Sequence, residues 1–200
     1  MIKAVIFDIG GVLIRTQDRR SRLAWEMRLG LAEWESEAIV FGGEMGTKAQ
    51  LGEISTAELW AWVGRRLNLS SEQLTQFRRD FWAGDALDGE LVAYIRQLRP
   101  HYQTAVISNA TDALRRELTT RYPIADAFDV IVCSAEEGVM KPDPDIYWTT
   151  LRRLGRQPAE TVFIDDNPDN VAAAQALGMA AVQFRPGLGV PAELGKLGMA

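Results

Sequence analysis

The stretch A-V-I-F-D-I-G-G at Ala4–Gly11 sets an unbroken apolar run directly against an acid and a glycine pair. The apolar part is too short for a helix and carries β-branched residues, the pattern of a strand buried on both faces. Four further runs read the same way: Thr104–Ile107, Val130–Cys133, Thr161–Ile164 and Ala180–Phe184. Helical patterns separate the later ones, at Asp112–Thr120, Asp145–Leu154 and Pro168–Leu177, with Gly178 as a stop for the last. Strand and helix in alternation predict an α/β domain of three layers, with a parallel sheet and right-handed crossovers.

The first two strands break that rhythm. About 95 residues lie between them, far more than one crossover needs. The excess, about Thr16–Asp85, reads as helices at Arg20–Leu29, Leu31–Val40, Ser55–Leu67 and Ser71–Phe81. Ser55-Thr56-Ala57-Glu58 and Ser70-Ser71 are helix starts of the capping-box kind. This stretch is expected to be a helical insert, with Leu87–Leu98 as the helix returning to the core. Five of the six tryptophans (Trp25, Trp34, Trp60, Trp62 and Trp82) fall inside it. A small helical unit needs large side chains to make a core, and one or two of these rings could instead line a cleft or a dimer face. Gly42–Gly46 reads as a loop facing the site, and the Gly- and Pro-rich tail after Arg185 as peripheral.

Composition narrows the partners. The chain has 200 residues and a formal net charge of −5, which argues against nucleic acid or an anionic membrane. No apolar run approaches the roughly 18–20 residues of a membrane span, and the opening MIKAVIFD meets an acid too early for a signal peptide, so a cytoplasmic location is expected. Cys133 is the one cysteine, so no internal disulfide can form; it ends a strand and reads as a buried apolar group. The one histidine, His101, precedes a strand rather than following one, which argues against a His-based triad or a His-rich metal site. A small metabolite is the expected partner. Monomer and homodimer are both compatible with the sequence.

In an open α/β sheet, ligands bind beyond the carboxyl ends of the strands. Asp8 directly follows the first strand, Ser108 and Asn109 the second, and Asp165 and Asp166 the fourth; Lys141 lies on the loop after the third. These groups should converge on one edge. Asp143 before Pro144 reads as a helix cap with proline at the first helical position.

As an ordered set, FDIGG, ISN, MKPDPDIY and FIDDNPDN resemble the motifs of the haloacid dehalogenase (HAD) superfamily of phosphohydrolases, of the helical-cap (C1) type. The resemblance spans nearly the whole chain, including the position of the insert. It implies a Rossmann-like core with a five-stranded parallel sheet in the order 5-4-1-2-3, counted over the five runs. It divides the chain into a catalytic core at 1–15 and 86–200 and a helical cap at 16–85, whose opening and closing gate access. Asp8 is implied to be the nucleophile, forming an aspartyl phosphate. Mg²⁺ is implied as cofactor, held by Asp8, the backbone carbonyl of Gly10, Asp166 directly and Asp165 directly or through water. Ser108 and Asn109 are implied to hold the phosphoryl oxygens, and Lys141 to offset charge on the phosphoryl group and on Asp8. The implied substrate is a small phosphorylated metabolite.

The chain departs from the usual pattern at Gly10, two beyond Asp8, where family phosphatases carry an Asp that protonates the leaving oxygen and then activates water. Three readings follow. A branch with a similar Asp-x-Gly start resembles sugar 1-phosphate phosphatases, whose leaving group needs less protonation; a cap residue such as Glu44, a metal-bound water or the substrate would then activate water. Second, the chain is a metal- or phosphate-binding protein with little turnover. The third is a 2-haloacid dehalogenase, which Asp165 and Asp166 oppose, because such carboxylates facing Asp8 without a cation are costly.

Overall fold

The computed structural model describes residues 1–199; Ala200, the last residue of the expected core segment, lies outside the described residues. In chain order the elements begin β1 (Ala4–Phe7) and β2 (Ile14–Thr16). Helices α1 (Arg20–Leu29), α2 (Glu35–Phe41), α3 (Gly43–Gln50), α4 (Thr56–Arg66) and α5 (Ser71–Phe81) follow. Then come β3 (Asp85–Leu87), α6 (Gly89–Leu98), β4 (Gln103–Ser108), α7 (Leu114–Thr120), β5 (Val130–Cys133), the short α8 (Ser134–Glu137), α9 (Pro144–Leu154), β6 (Thr161–Asp165), α10 (Pro168–Ala176), β7 (Ala180–Gln183) and α11 (Val190–Lys196).

Five strands form one parallel sheet, in the order β5-β4-β1-β6-β7. This is the order expected from the sequence. β1 lies at the centre and every one of its residues is buried. Its side chains alternate between two cores, as the strand period of two requires. Val5 and Phe7 pack with Val92 and Ile95 of α6, Leu118 of α7 and Leu194 of α11. Ala4 and Ile6 pack with Ile146, Tyr147 and Leu151 of α9 and Ala174 of α10. The tail expected to be peripheral is therefore a structural part of the core: Val190, Leu194 and Met199 are all buried there.

Register positions the site. Phe7 stands beside Val106 on one side and Ile164 on the other. The chain leaves β1, β4 and β6 at neighbouring points of one edge, so Asp8, Ser108 and Asp165 emerge together.

The five cap helices gather around a separate aromatic core of Trp25, Trp60, Val63, Phe77 and Phe81. Trp25 and Phe77 meet edge to face with centroids 5.3 Å apart, and Trp60 and Phe81 at 5.8 Å, arrangements that suit the aromatic quadrupole. Both expected capping boxes form, Ser55 with Glu58 and Ser70 with Gln73. Two details differ from the sequence reading. The second cap helix begins at Glu35, not Leu31: Gly30 is left-handed, the Leu31 amide donates back to Glu26, and Trp34 also has positive φ, so a turn uses these residues. Gly42–Gly46 is not a loop but the start of α3. Gly46 is needed for close approach, since a Cβ there would overlap the Phe41 carbonyl at the end of α2.

Cap and core join through an antiparallel ribbon of β2 and β3, pairing Arg15 with Ala86. The two connecting chains cross at Gly84. Its carbonyl accepts from the Gln17 and Asp18 amides at 2.9 and 3.3 Å, and a Cβ at this position would overlap the Asp18 carbonyl oxygen. We predict that Gly84→Ala lowers stability by about 1–3 kcal/mol, because backbone cannot yield as a side-chain tip can. Urea unfolding measures this; an unchanged midpoint would mean the chains do not cross this closely. Away from the ribbon the cap also touches the core. Ser134 Oγ donates to the Gln50 carbonyl at 2.6 Å, and Thr56 Oγ1 donates to Asp112 and lies 2.7 Å from the Thr111 hydroxyl.

Candidate active site

Lys141 is the centre of the charged cluster. Its ammonium, almost fully buried, donates to Asp8 Oδ1 and to Asp165 Oδ2, each at 2.7 Å. The loop carrying it is clamped by Asn109, whose amide donates to the Lys141 carbonyl and accepts from the Lys141 N–H, both at 2.8 Å. Asn109, expected to face a phosphoryl group, thus uses both ends of its amide to position Lys141.

Asp165 is fully buried and saturated. Oδ1 accepts from the Asn167 N–H at 2.8 Å, the Asn170 amide reaches both oxygens at 3.1 Å, and Lys141 holds Oδ2. Asn170 is in turn held by α10, where its carbonyl accepts from the buried Tyr147 hydroxyl at 2.9 Å. Asp166, the next residue, is exposed and lines the cavity beside Gly10, Gly11 and Ser108. The buried Ser108 makes no side-chain hydrogen bond among the described residues. Asp143 caps α9, accepting from the Asp145 N–H at 2.9 Å with Pro144 in the first turn, as expected from the sequence.

The two glycines after Asp8 differ. Gly11 has φ of +76°, and a Cβ there would overlap the Asp166 carboxylate. It is required both for its backbone conformation and for the approach of Asp166. Gly10 is under neither constraint: a Cβ would meet nothing within 4 Å. The turn is held by the Gly11 N–H donating to Ile14 at 3.0 Å and by the Leu13 and Ile14 amides donating to the Ile9 carbonyl. Among the described residues the Gly10 carbonyl accepts no hydrogen bond. Glu44, considered as a substitute for the missing acid, is not in the site. It points outward and pairs with Lys48, one helical turn on, at 2.6 Å.

The electrostatics follow from crowding. Oxygens of Asp8, Asp165 and Asp166 lie within 4.8 Å of one another. Burial, reinforced by the Asp165 charge, raises the Asp8 carboxyl to about 6 in spite of Lys141. Burial and Asp165 likewise raise Asp166. Burial alone would lower the Lys141 ammonium, but Asp8 and Asp165 outweigh it and hold it above its ordinary value. With all of them ionised, three carboxylates against one ammonium leave a double negative charge, which a divalent cation matches. The donors are all oxygen, the set that suits a hard cation. Cys133 has no part in this chemistry, since burial pushes its thiol up to about 11.

Above the charged edge, between core and cap, lies a cavity of about 590 Å³. Gly10, Ser108 and Asp166 line its floor, and Val40, Phe41, Leu59, Trp60 and Trp82 its cap side. Among the described residues no helix is long and apolar enough to cross a membrane.

An acid at the end of a central parallel strand, a lysine bridging it to a second acid, and a helical cap over both define a hydrolase of the HAD kind. The sequence matches the family model for haloacid dehalogenase-like hydrolases over residues 2–178, and the chain belongs to that family. It is 27% identical to a sesquiterpene phosphatase of Aspergillus oryzae, over 98% of this chain and 96% of that one. It is 28% identical to a D-ribitol-5-phosphate phosphatase of Bacteroides thetaiotaomicron, over 92% of each chain. Among solved structures, a predicted HAD-like family hydrolase of Porphyromonas gingivalis superposes with a TM-score of 0.80 at 26% identity over the whole of both chains. A HAD family enzyme of B. thetaiotaomicron, solved with magnesium and inorganic phosphate, superposes with a TM-score of 0.81 at 24% identity, covering 96% of this chain and 99% of that one.

Proposed function

We propose that the chain is a Mg²⁺-dependent phosphatase of phosphate monoesters, with residues 16–85 as the cap and Asp8 as the nucleophile. The observation that carries this is Lys141, shared at 2.7 Å between the acid just after β1 and the acid that ends β6. Lys141 holds Asp8 Oδ1, leaving Oδ2 without a side-chain partner. That oxygen attacks phosphorus, forming an aspartyl phosphate as the ester P–O bond breaks and the alcohol leaves with a proton from solvent, position 10 carrying no acid; water then hydrolyses the intermediate to inorganic phosphate and free Asp8. Ser108 binds a phosphoryl oxygen, and Lys141 stabilises the charge gathering there. Asn109 and Asn170 act as positioning residues for Lys141 and Asp165.

The metal fits the donors present. Asp166 is free to ligate directly, as are Asp8 and the unpaired Gly10 carbonyl. Asp165, saturated by Lys141, Asn167 and Asn170, would act through water. Bound there, Mg²⁺ would neutralise the phosphoryl oxygens and withdraw charge as a Lewis acid. The same carboxylates oppose the dehalogenase reading, because without a cation they repel one another.

A sugar or sugar-alcohol phosphate draws support from the D-ribitol-5-phosphate relative, and an apolar alcohol from the sesquiterpene relative; the sugar 1-phosphate reading prompted by Gly10 rests on the resemblance alone. The test of the general reading is phosphate release from acetyl phosphate and a metabolite panel, with Mg²⁺ and with EDTA. Release with Mg²⁺ and its loss in EDTA are expected. Mg²⁺ should also raise the melting temperature, since a ligand that binds only the folded state stabilises it, and Asp166→Asn should diminish that rise. Equal release in EDTA would contradict the metal assignment, and no release under either condition would favour a binding protein of low turnover.

A further inference from the structure

Resting on the phosphatase reading, we infer that the alcohol this enzyme releases is large and apolar, a long-chain or polycyclic phosphate ester rather than a sugar phosphate. A volume of about 590 Å³ is far more than a phosphoryl group requires. It lies within the roughly 300–1,000 Å³ of pockets that enclose whole drug-sized ligands. Its walls away from Asp166 are built from Val40, Phe41, Leu59, Trp60, Trp82 and Leu118.

The polar side chains that do reach the cavity are mostly occupied by the protein itself. Arg22 donates to the Phe81 carbonyl, Glu37 and Asp85, and Thr16 to Asp85. Gln50 donates to the carbonyls of Phe41 and Gly46, Thr56 is engaged with Thr111 and Asp112, and Arg121 donates to the Trp82 carbonyl. Among the described residues, two charged groups of the lining beyond the catalytic floor, Arg78 and Glu117, make no hydrogen bond. Arg78 lies over the Trp60 ring at 5.5 Å, and Glu117 lies 3.9 Å from Arg116. A sugar buried here would leave most of its hydroxyls unpaired, and each such group carries a large desolvation penalty. An apolar chain meets no such penalty and gains from every methylene removed from water.

The test compares decyl phosphate with glucose 6-phosphate, both esters of primary alcohols, with acetyl phosphate as the small reference. In Mg²⁺, kcat/KM for decyl phosphate should exceed that for glucose 6-phosphate by about 10²-fold or more, the effect of burying a few methylenes. Tryptophan fluorescence, to which Trp60 and Trp82 of the cavity wall contribute, should report the same order of binding whether or not turnover occurs. Phe41→Gln should narrow the decyl-to-glucose ratio by about tenfold, placing the preference in this cavity. Glucose 6-phosphate equal to or better than decyl phosphate in both readouts would overturn the inference. A decyl preference untouched by Phe41→Gln would also overturn it, because the preference would then arise elsewhere. Loss of acetyl phosphate turnover alone would count against the phosphatase reading, while the binding titration would still decide this one.

Discussion

We predict that Asp8→Asn abolishes phosphate release, a loss on the order of 10⁴-fold or more, as removal of a nucleophile produces in other covalent enzymes. Asn has the same shape but cannot donate an electron pair to phosphorus through an anionic oxygen. The fold should survive. Lys141 keeps its bond to Asp165 at 2.7 Å, and one of three crowded negative charges is removed. In the metal-free protein the melting temperature should therefore be no lower than that of the wild type. Steady-state kinetics and a thermal melt check the two halves separately. Retained turnover would mean that Asp8 is not the nucleophile, and loss of both activity and fold would mean that the Lys141–Asp8 pair is mainly structural.

The second large effect concerns Gly10. Because a Cβ there would meet nothing within 4 Å and φ is not in the left-handed range, an aspartate can be installed without moving the backbone. We predict that Gly10→Asp raises turnover of alkyl phosphates by up to about 10²–10⁴-fold, the usual contribution of a positioned acid–base. Aryl and acetyl phosphates, whose leaving groups need no proton, should gain less. An equal or reduced rate on alkyl phosphates would mean that the site is organised around the glycine. Gly11→Ala should instead be harmful, since it forces an L side chain into positive φ and against Asp166.

Features of the fold and site that depend on one-dimensional pattern are legible in the sequence. The strands β1, β4 and β6 are buried runs, and the residues at or just beyond their carboxyl ends necessarily meet at one edge. Asp8, Ser108 and Asp165 were therefore identifiable before the structure. The ribbon of β2 and β3 was not, because three half-buried residues carry no periodic signal. The helix at Gly43–Gln50 was hidden by its glycines, whose low helix propensity is overridden by the close packing at Gly46. Glu44 was a reasonable candidate by position, yet helix phase turns it outward to Lys48. Asn170 stood within the quoted FIDDNPDN motif without a role, and only its 3.1 Å contacts to both oxygens of Asp165 reveal one.

The most direct measurement is the intact mass of the protein, acid-quenched during turnover of acetyl phosphate in Mg²⁺. Without an acid–base at position 10, breakdown of the aspartyl phosphate should be slower than its formation. A population carrying one phosphoryl group, on the peptide containing Asp8, is therefore expected. That population should be absent from Asp8→Asn and reduced in Gly10→Asp. Steady turnover with no phosphoenzyme at any quench time, or a phosphoryl group on another residue, would contradict the assignment of Asp8 as nucleophile.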